Sequence, residues 1–227
     1  MELAILFSGG KDSSLALNRA YDSGHTIKCL LSMKSKNPDS WMFHTPNIDF
    51  IEKQAESMHI SLIMHETEGN KEDELEDLKQ LIKRAKEEYN IHGIVTGAIH
   101  SVYQASRIQR ICHELRLFCF NPLWLADQES ILKELLEKNY KVIITKIAGM
   151  GLDRTWLGRV IDDSFITDIK KIKQKYKINV AGEGGEMESF VLNSPLFNYT
   201  LEIEDVAIIE NQDNCIYDIK KLKRTEK

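Results

Sequence analysis

The chain has 227 residues, 42% of them hydrophobic, which is enough to build one large domain or two modest ones around a core. Its formal net charge of −5 at pH 7 argues against direct nucleic-acid binding, because phosphate contacts draw on clustered Lys and Arg. No apolar stretch reaches membrane-spanning length, and the sequence starts directly with an apolar strand. We therefore expect a cytoplasmic protein without a signal peptide, membrane segment or direct nucleic-acid partner.

The four cysteines, Cys29, Cys112, Cys119 and Cys215, are scattered and form no Cys-x-x-Cys pair. The first three have apolar neighbours and are predicted to be reduced core residues, whereas Cys215 lies in a more polar segment. This pattern predicts neither a zinc site nor a redox pair.

The chain opens with a strand, a glycine loop and a helix. Residues 3–7 are apolar, residues 8–13 read Ser-Gly-Gly-Lys-Asp-Ser, and residues 13–20 have helix-forming composition. Gly9 and Gly10 allow the backbone to approach a ligand closely and to turn its N–H groups toward one point. Together with the helix N-terminus, these N–H groups predict an anion site suited to phosphate oxygens.

The polar side chains of this loop point to a nucleotide. Lys11 adds a positive charge, and the hydroxyls of Ser8 and Ser13 add short donors. Asp12 cannot itself contact a phosphate, so its presence indicates a Mg²⁺ ion that bridges it to the nucleotide.

This loop resembles the Ser-Gly-Gly-x-Asp-Ser loop of the ATP pyrophosphatases, the PP-loop family, and lacks the Gly-x-x-x-x-Gly-Lys-Ser/Thr spacing of P-loop NTPases. The resemblance implies that ATP is cleaved between its α and β phosphates, with AMP transferred to an acceptor and pyrophosphate released. The alternative is a strand–helix turn without a ligand, against which six matching residues after a strand weigh strongly.

Strands and helices then alternate through the first half. The predicted elements are a strand at Thr26–Met33, a helix at Asp49–Met58, a strand at Ser61–His65, a helix at Glu72–Tyr89, a strand at Gly93–Thr96 and a helix at Ser101–Leu115. This alternation predicts an α/β fold with a doubly wound parallel sheet, whose ligands lie at the carboxyl ends of the strands. Adenine is therefore expected at the end of the second strand, beside Ser32 and Met33.

A second candidate segment ends one strand and opens the next helix. Gly97 and Ala98 are small at a position where a nucleotide could press against the backbone. Ser101, Gln104 and Arg107 are three residues apart and share one helical face, where Arg107 would suit a phosphate or carboxylate. An ordinary amphipathic helix with an exposed arginine explains the spacing equally well.

Around residues 121–124 the sequence changes character, which predicts an ATP-binding domain at 1–122 and a substrate-binding domain at 123–227. The elements predicted in the second part are a helix at Gln128–Lys138, a strand at Lys141–Lys146 and a closing hairpin or sheet edge at Thr200–Glu210 and Asn214–Lys220. These elements predict a smaller α+β domain. The basic residues at 220–224 are interpreted as a solvated tail.

The most unusual segment of the second part is a loop of glycines and carboxylates, Gly182-Glu183-Gly184-Gly185-Glu186-Met187-Glu188. It is too acidic for phosphate and would suit ammonium, Mg²⁺ or a quaternary amine. A carboxylate here could also take a proton from ammonium and release the nucleophile NH₃. Composition alone favours a flexible surface turn with solvated acids.

A weaker candidate is the segment 151–162. Trp156 could stack on a substrate and Arg159 could contact an anion, but a packing loop around Trp156 fits equally well. Trp41, Trp124 and Trp156 could also form a cation–π cage for a trimethylammonium group, although core packing is the commoner role of such residues.

Together these segments resemble the diphthine–ammonia ligases, or diphthamide synthases, a branch of the PP-loop proteins. The resemblance rests on residues 8–13, 97–107, 122–124, 151–159 and 182–190. The glycine–glutamate loop is its distinguishing part, and Met187 stands there in place of an expected aromatic residue. The short single-chain form resembles the archaeal type, which lacks the additional C-terminal domains of eukaryotic versions.

The resemblance implies amidation of diphthine on translation elongation factor 2, with ATP, Mg²⁺ and ammonium, through an acyl-adenylate. The implied catalytic residues are Lys11, Asp12, Arg107, Glu183 and Glu186, with Asp12 as the metal ligand. Glu183 and Glu186 are expected to recruit ammonium or the quaternary amine of diphthine. The implied ATP-binding residues are Ser8, Gly9, Gly10, Lys11, Asp12, Ser13, Ser32, Met33, Gly97 and Ala98. The implied substrate-binding residues are Ser101, Tyr103, Gln104, Arg107, Trp156, Arg159, Glu183, Gly184, Gly185, Glu186 and Glu188.

Two rival functions remain open from the sequence. One is a different adenylating enzyme that forms an amide or guanidine, and the other is a non-catalytic ATP-binding module. No segment is left over for a glutaminase with a nucleophilic Cys, which favours free ammonium as the nitrogen donor. The absence of a Cys pair argues against tRNA thiolation, and the oligomeric state, including a homodimer, stays open.

Overall fold

A computed structural model describes residues 1–37, 46–70 and 73–227. Its first sheet has five parallel strands in the order β3-β2-β1-β4-β5. The strands are β1 (Glu2–Leu6), β2 (Thr26–Ser35), β3 (Ser61–Thr67), β4 (Gly93–Val95) and β5 (Phe118–Phe120). The helices between them are α1 (Lys11–Asp22), α2 (Ile51–Met58), α3 (Asp73–Tyr89) and α4 (Val102–Glu114).

The central strand β1 is buried on both faces, as its apolar run predicts. Leu3 and Ile5 pack into one core cluster and Ala4 into the other, because successive side chains of a strand point to opposite faces. The first cluster includes Leu15 of α1, and the second includes Leu78 of α3. Helices therefore cover both faces, and the prediction of a doubly wound α/β sheet is confirmed.

The second half forms a separate antiparallel sheet in the order β7-β6-β9-β8. Its strands are β6 (Lys141–Ile147), β7 (Met187–Asn193), β8 (Tyr199–Glu210) and β9 (Cys215–Glu226), and its helices are α5 (Gln128–Glu137) and α6 (Asp163–Tyr176). This confirms the predicted α+β architecture of the second part. The first core cluster extends from the parallel sheet into this half, and the proposed boundary at residue 122 stays a prediction.

Three elements were not predicted from the sequence: β5, α6 and β7. The start of the helix predicted from Glu72 lies outside the described residues, as does Trp41. Trp124 is exposed, so core packing does not hold for it, whereas Trp156 is buried.

The interpretation of residues 220–224 as a solvated tail is wrong, because these residues belong to β9. Lys221 and Lys223 form ion pairs with Glu204 and Glu202 of β8, at N–O distances of 2.8 and 3.2 Å. Strand pairing places opposite charges side by side along the hairpin.

All four cysteines are free thiols, and Cys29 and Cys112 are buried as predicted. Along the described ranges, no helix combines the length and the apolar character that crossing a bilayer would require.

Candidate active site

A cavity of about 1240 Å³ lies between the carboxyl ends of the central parallel strands and one end of the antiparallel sheet. Most of the residues predicted to bind ATP or substrate line it. They are Ser8, Gly10, Lys11, Asp12, Ser13, Ser32, Met33, Gly97, Ala98, Ser101, Tyr103, Gln104, Glu183, Gly184, Gly185 and Glu188. The fold thus brings the glycine loop, the start of α4 and the acidic loop to a single site.

The glycine loop is held from behind by residues far away in the sequence. Gly9 adopts a left-handed backbone conformation with φ of 75°. Its carbonyl oxygen accepts hydrogen bonds from the Val191 amide of β7 and the Gln54 side chain of α2, each at 3.0 Å. A Cβ atom at Gly9 would lie 2.6 Å from the Gln54 side-chain oxygen, so both the backbone angle and the space require glycine.

The front of the loop and the start of α1 face the cavity. The Ser8 amide donates to the Ser13 hydroxyl at 3.2 Å, and the Lys11 amide donates to the Ser189 hydroxyl at 3.2 Å. Gly10 precedes the helix without a side-chain cap. This leaves a helix N-terminus at the cavity wall, where its partial positive charge suits a phosphate.

Lys11 and Asp12 form the charged part of this wall. Lys11 is 4% exposed, and its ammonium group donates to the Asp12 carboxylate at 2.7 Å and to the Ala181 carbonyl oxygen. Burial raises the pKa of Asp12, while the positive charge of Lys11 opposes that shift. The pair therefore holds a carboxylate in an environment that favours an added cation.

The free oxygen of Asp12 fits the predicted role in Mg²⁺ binding. Asp12 Oδ1 is buried and has no hydrogen-bond partner among the described residues. Those residues contain no group of three or more His, Cys, Asp or Glu side chains that would hold a metal by themselves. One carboxylate completed by phosphate oxygens and water is a usual way for proteins to bind Mg²⁺.

The turn after β4 packs directly on the glycine loop. A Cβ atom at Gly97 would lie 2.8 Å from the Asp12 carbonyl carbon and 2.8 Å from the Ser13 amide nitrogen. The neighbouring Ala98 amide donates to Thr96 Oγ1 at 3.2 Å, which fixes the turn. Gly97 is thus needed for the close approach of two backbone segments.

Helix α4 presents Tyr103 and Gln104 to the cavity and begins at a cap formed by Ser101, whose hydroxyl accepts from the Gln104 amide at 3.3 Å. The Arg107 guanidinium does not line the cavity. It stacks on the Tyr103 ring, 3.5 Å from the centroid, and donates to the Tyr103 carbonyl oxygen. Its predicted contact with a phosphate or carboxylate stays a prediction.

Glu183 joins the acidic loop to the first half of the chain. One oxygen of its carboxylate accepts backbone hydrogen bonds from Ile99, His100 and Ser101, at 3.3, 2.8 and 2.9 Å. A carboxylate near a helix start is stabilised by these donors and by the helix dipole. Glu183 therefore fixes the acidic loop against the start of α4.

Glu186 builds the acidic loop itself. Its two carboxylate oxygens accept from the Asn179 amide and the Gly184 amide, each at 2.8 Å. It does not line the cavity. The expectation of a flexible turn with solvated acids is therefore wrong for Glu183 and Glu186, because backbone N–H groups bind both carboxylates.

Glu188 is the acid of this segment that contacts a cation across the sheet. Glu188 on β7 and Lys146 on β6 occupy paired positions, and their side chains form an ion pair at 2.9 Å. Burial raises the pKa of Glu188, and the charge of Lys146 opposes the shift. Both residues line the cavity.

Comparison with protein families shows which family the chain belongs to. The profile described as diphthamide synthase N-terminal domain matches residues 1–118, and the one described as diphthamide synthase C-terminal domain matches residues 127–225. The chain belongs to the diphthamide synthase family. It is an ATP-dependent ligase, the enzyme class predicted from its sequence.

Similar proteins of this family occur in mammals and fungi. The chain is 32% identical to the diphthine–ammonia ligases of Bos taurus and Homo sapiens, over 100% of its own length and 91% of theirs. It is 30% identical to that of Schizosaccharomyces pombe, over 97% of its own length but 39% of the longer yeast protein. Eukaryotic relatives thus include both short and long forms.

Solved structures add more distant similarities. A predicted subunit of tRNA methyltransferase from Methanocaldococcus jannaschii aligns with a TM-score of 0.45 at 16% identity, covering 86% of this chain and 98% of that one. A U34-tRNA thiolase from Methanococcus maripaludis aligns with a TM-score of 0.39 at 15% identity, covering 82% of this chain and 71% of that one.

Two residues that the family resemblance implied as substrate contacts lie away from the cavity. Trp156 is 7% exposed and packs edge-on against Phe165, with ring centroids 5.3 Å apart. Arg159 pairs with Asp168 at 2.8 Å and lies over the Trp156 ring. These contacts fit the alternative of a packing loop, and a substrate role for either residue stays a prediction.

Several cavity or loop residues were missed by sequence reasoning. Lys146 carried a usable signal, because a lysine inside an otherwise buried apolar strand is unusual. Ser189 lies in the motif at residues 182–190, but its contact with the glycine loop was not predicted. Gln54 and the turn at residues 211–214 carried no signal, since their roles depend on the approach of distant segments.

Proposed function

We propose that this chain is a diphthine–ammonia ligase that converts diphthine on translation elongation factor 2 into diphthamide. The reaction would consume ATP and ammonium and release AMP and pyrophosphate. The observation that carries the proposal is that the glycine loop and the wall formed by Glu183 and Glu188 line one cavity. A nucleotide and an acceptor bound to these two walls would meet.

In the first step, a carboxylate oxygen of diphthine attacks the α-phosphorus of ATP, and the bond to the departing pyrophosphate breaks. The product is an acyl-adenylate. The N-terminus of α1 and the glycine-loop amides bind the pyrophosphate oxygens, and Lys11 neutralises the charge that develops on them. Asp12 would hold Mg²⁺, which when bound supplies further charge neutralisation on the phosphates.

In the second step, ammonia attacks the acyl carbon, AMP leaves, and the nitrogen loses a proton to give the amide. The acidic wall of the cavity attracts ammonium and the quaternary amine of the acceptor. Within this proposal Glu188 contacts the cation, whereas Glu183 and Glu186 hold the loop that positions the wall. Arg107 is proposed to steady the α-phosphate or the acceptor carboxylate after it leaves the Tyr103 ring.

The decisive experiment mixes the purified protein with ATP, Mg²⁺, ammonium and elongation factor 2 that carries diphthine. AMP and pyrophosphate are quantified, and the mass of the factor is followed. The proposal predicts one AMP and one pyrophosphate per factor and a mass change from acid to amide. Glutamine in place of ammonium should give no product.

Two other outcomes of this experiment would favour the rival functions. Release of pyrophosphate without amidation of the factor would indicate an adenylating enzyme with a different acceptor. Binding of ATP without any cleavage would indicate a nucleotide-binding module. An Asp12→Asn variant tests the site itself, and we expect it to lose Mg²⁺-dependent pyrophosphate release.

A further inference from the structure

The acceptor side of the cavity contains the ion pair of Lys146 with Glu188, and the proposed reaction assigns a role only to Glu188. We propose that Lys146 and Glu188 form a subsite for a zwitterionic acid, with Lys146 as its specificity-determining residue. Lys146 would bind the carboxylate of the acceptor and Glu188 its quaternary ammonium group. This inference rests on the proposed function and deepens it.

The position of the pair supports a role in ligand binding. Lys146 and Glu188 lie on neighbouring strands at paired positions, and their side chains are 17% and 26% exposed. Both remain open to the cavity. An ammonium group has three donors and a carboxylate has two oxygens, so the mutual contact leaves each group with capacity for a ligand.

The burial of the pair argues against a purely structural task. Lys221 and Lys223 of the same sheet also pair with carboxylates, but these lysines are 69% and 50% exposed. Removing two charges from water is costly, and a buried ion pair is often no more stabilising than apolar residues of the same size. A partly buried pair at a cavity wall is therefore better explained by binding than by stability.

The two ends of the cavity differ in the charged residues that line them. Lys11 and Asp12 form the nucleotide wall on α1, Glu183 lies at the start of α4, and Asp213 lies in the turn between β8 and β9. The amide side chains of Asn211, Gln212 and Asn214 accompany Asp213 in that turn. The end that contains Lys146 and Glu188 thus combines one cation with carboxylates and neutral polar groups.

A zwitterion matches this arrangement better than an ion with a single charge. An acid with a quaternary ammonium on the same side chain places its two charges antiparallel to those of Lys146 and Glu188. A simple carboxylic acid would add an unbalanced negative charge beside Glu188, and a simple cation would add an unbalanced positive charge beside Lys146. An unbalanced charge in a partly buried site is unfavourable, and such a penalty is one way in which a site rejects a near analogue.

The orientation also matters for the reaction. With its carboxylate bound to Lys146, the acceptor would hold its reacting oxygen beside a positive charge. Glu188 would bind its quaternary ammonium group. Reversing the pair would reverse the preferred orientation of the acceptor. A structural ion pair, by contrast, tolerates exchange of its members.

The test uses the full-length protein and four variants: Lys146→Gln, Glu188→Gln, the exchange of both charges (Lys146→Glu with Glu188→Lys) and the control Lys221→Gln. KM and kcat are measured with elongation factor 2 that carries diphthine, and ATP affinity is measured separately. We expect Lys146→Gln and Glu188→Gln to raise KM for the factor about tenfold, with ATP affinity within about twofold of the wild type. The control, which breaks an exposed pair, should not change KM.

The charge exchange gives the sharpest outcome. If the pair binds a zwitterion, the exchanged variant folds, binds ATP and still fails to amidate the factor. If the exchange restores wild-type KM and kcat, the pair is structural and the inference is overturned. Should the exchanged variant fail to fold, the two Gln variants decide, since unchanged KM in both would equally overturn the inference.

A small probe makes the result independent of protein docking. Binding of 2-(trimethylammonio)butanoate is compared with that of its carbon isostere, in which a tert-butyl group replaces the trimethylammonium. We expect the wild type to prefer the zwitterion and Glu188→Gln to lose that preference. Equal binding of both probes by the wild type contradicts the inference, whereas a wild type that never amidates the factor contradicts the proposed function itself.

Discussion

The glycine loop and the acidic loop look alike in sequence, as short glycine-rich runs with charged residues, but they use their charges differently. In the glycine loop, distant residues hold the backbone, and the side chains of Lys11 and Asp12 line the cavity. In the acidic loop, the carboxylates of Glu183 and Glu186 hold backbone N–H groups. A charged residue in a glycine-rich loop can therefore serve the ligand or the loop, and only its contacts tell which.

The largest expected effect comes from a variant that disturbs the close packing of Gly97 on the glycine loop. In Gly97→Ala, the added Cβ would lie 2.8 Å from the backbone at Asp12 and Ser13, so the loop must shift. We expect ATP affinity to fall about a hundredfold, equivalent to about 2.7 kcal/mol, as measured by calorimetry.

The matched control is Gly24→Ala, where nothing lies within 4 Å of the added atom and φ is 80°. That variant carries backbone strain of about 1–2 kcal/mol without any contact to the loop. Equal losses of ATP affinity in both variants would show that general destabilisation, not loop packing, is responsible.

The next effect tests the assigned task of the acidic loop. Glu183→Ala removes the acceptor of three backbone N–H groups, whereas Glu183→Gln keeps an acceptor oxygen in the same place. We expect amidation to fall about thirtyfold in the Ala variant and about threefold in the Gln variant. Equal losses in both would instead favour the predicted role of its negative charge in ammonium recruitment.

A pH profile distinguishes Glu188 from the two loop-holding acids. Burial raises the pKa of Glu188 above its usual 4.5, so the group loses its charge as pH falls through the raised value. Cation binding should weaken over that range, seen as an acidic limb in kcat/KM for the factor. Lys146→Gln removes the opposing charge and should move this limb to higher pH, whereas Lys221→Gln should leave it in place.

The raised pKa of Glu188 also affects stability. Cation binding should strengthen as pH rises, whereas the contribution of Glu188 to stability should fall. Because the folded protein binds the Glu188 proton more tightly than the unfolded chain does, this group's contribution to the free energy of unfolding declines as pH rises through the raised pKa. Glu188→Gln should remove that decline, as measured by denaturant unfolding at several pH values.

The smallest effect concerns the residues outside the cavity. Trp156→Phe removes part of a buried side chain that packs on Phe165, and we expect a loss of about 1–2 kcal/mol in the free energy of unfolding. KM for the factor should not change. A rise in KM with unchanged stability would instead support the predicted contact between Trp156 and the substrate.

Much of the fold was predictable because it depends on local patterns. The apolar runs and amphipathic stripes of the first half predicted every strand except β5 and each of its helices to within a few residues. Strand β5 has three residues, Phe118–Phe120, which is too short for a periodic signal. Strand β7 was hidden by the glycines and carboxylates that precede it.

The candidate site was predictable where one short motif supplies both the backbone and the ligand groups, as at residues 8–13. It was not predictable where function depends on partners. Lys146 acquires its significance from Glu188 on the neighbouring strand, and Glu183 acquires its task from amides about 80 positions earlier. The first pairing is set by the register of two strands in the antiparallel sheet, and the second by the approach of the two halves of the chain.

The support of Gly9 by Val191 also bears on the order in which the protein matures during synthesis. The Val191 amide that fixes the nucleotide loop, and Ser189 of β7, whose hydroxyl accepts from the first amide of α1, emerge from the ribosome about 180 residues after the loop itself. Contacts of such long sequence separation cannot form before the second partner has been synthesised, and closing so long a loop has an entropic cost. The nascent first half would therefore carry an unfinished loop, and competence to capture ATP would arise only once the second half has been translated and docked.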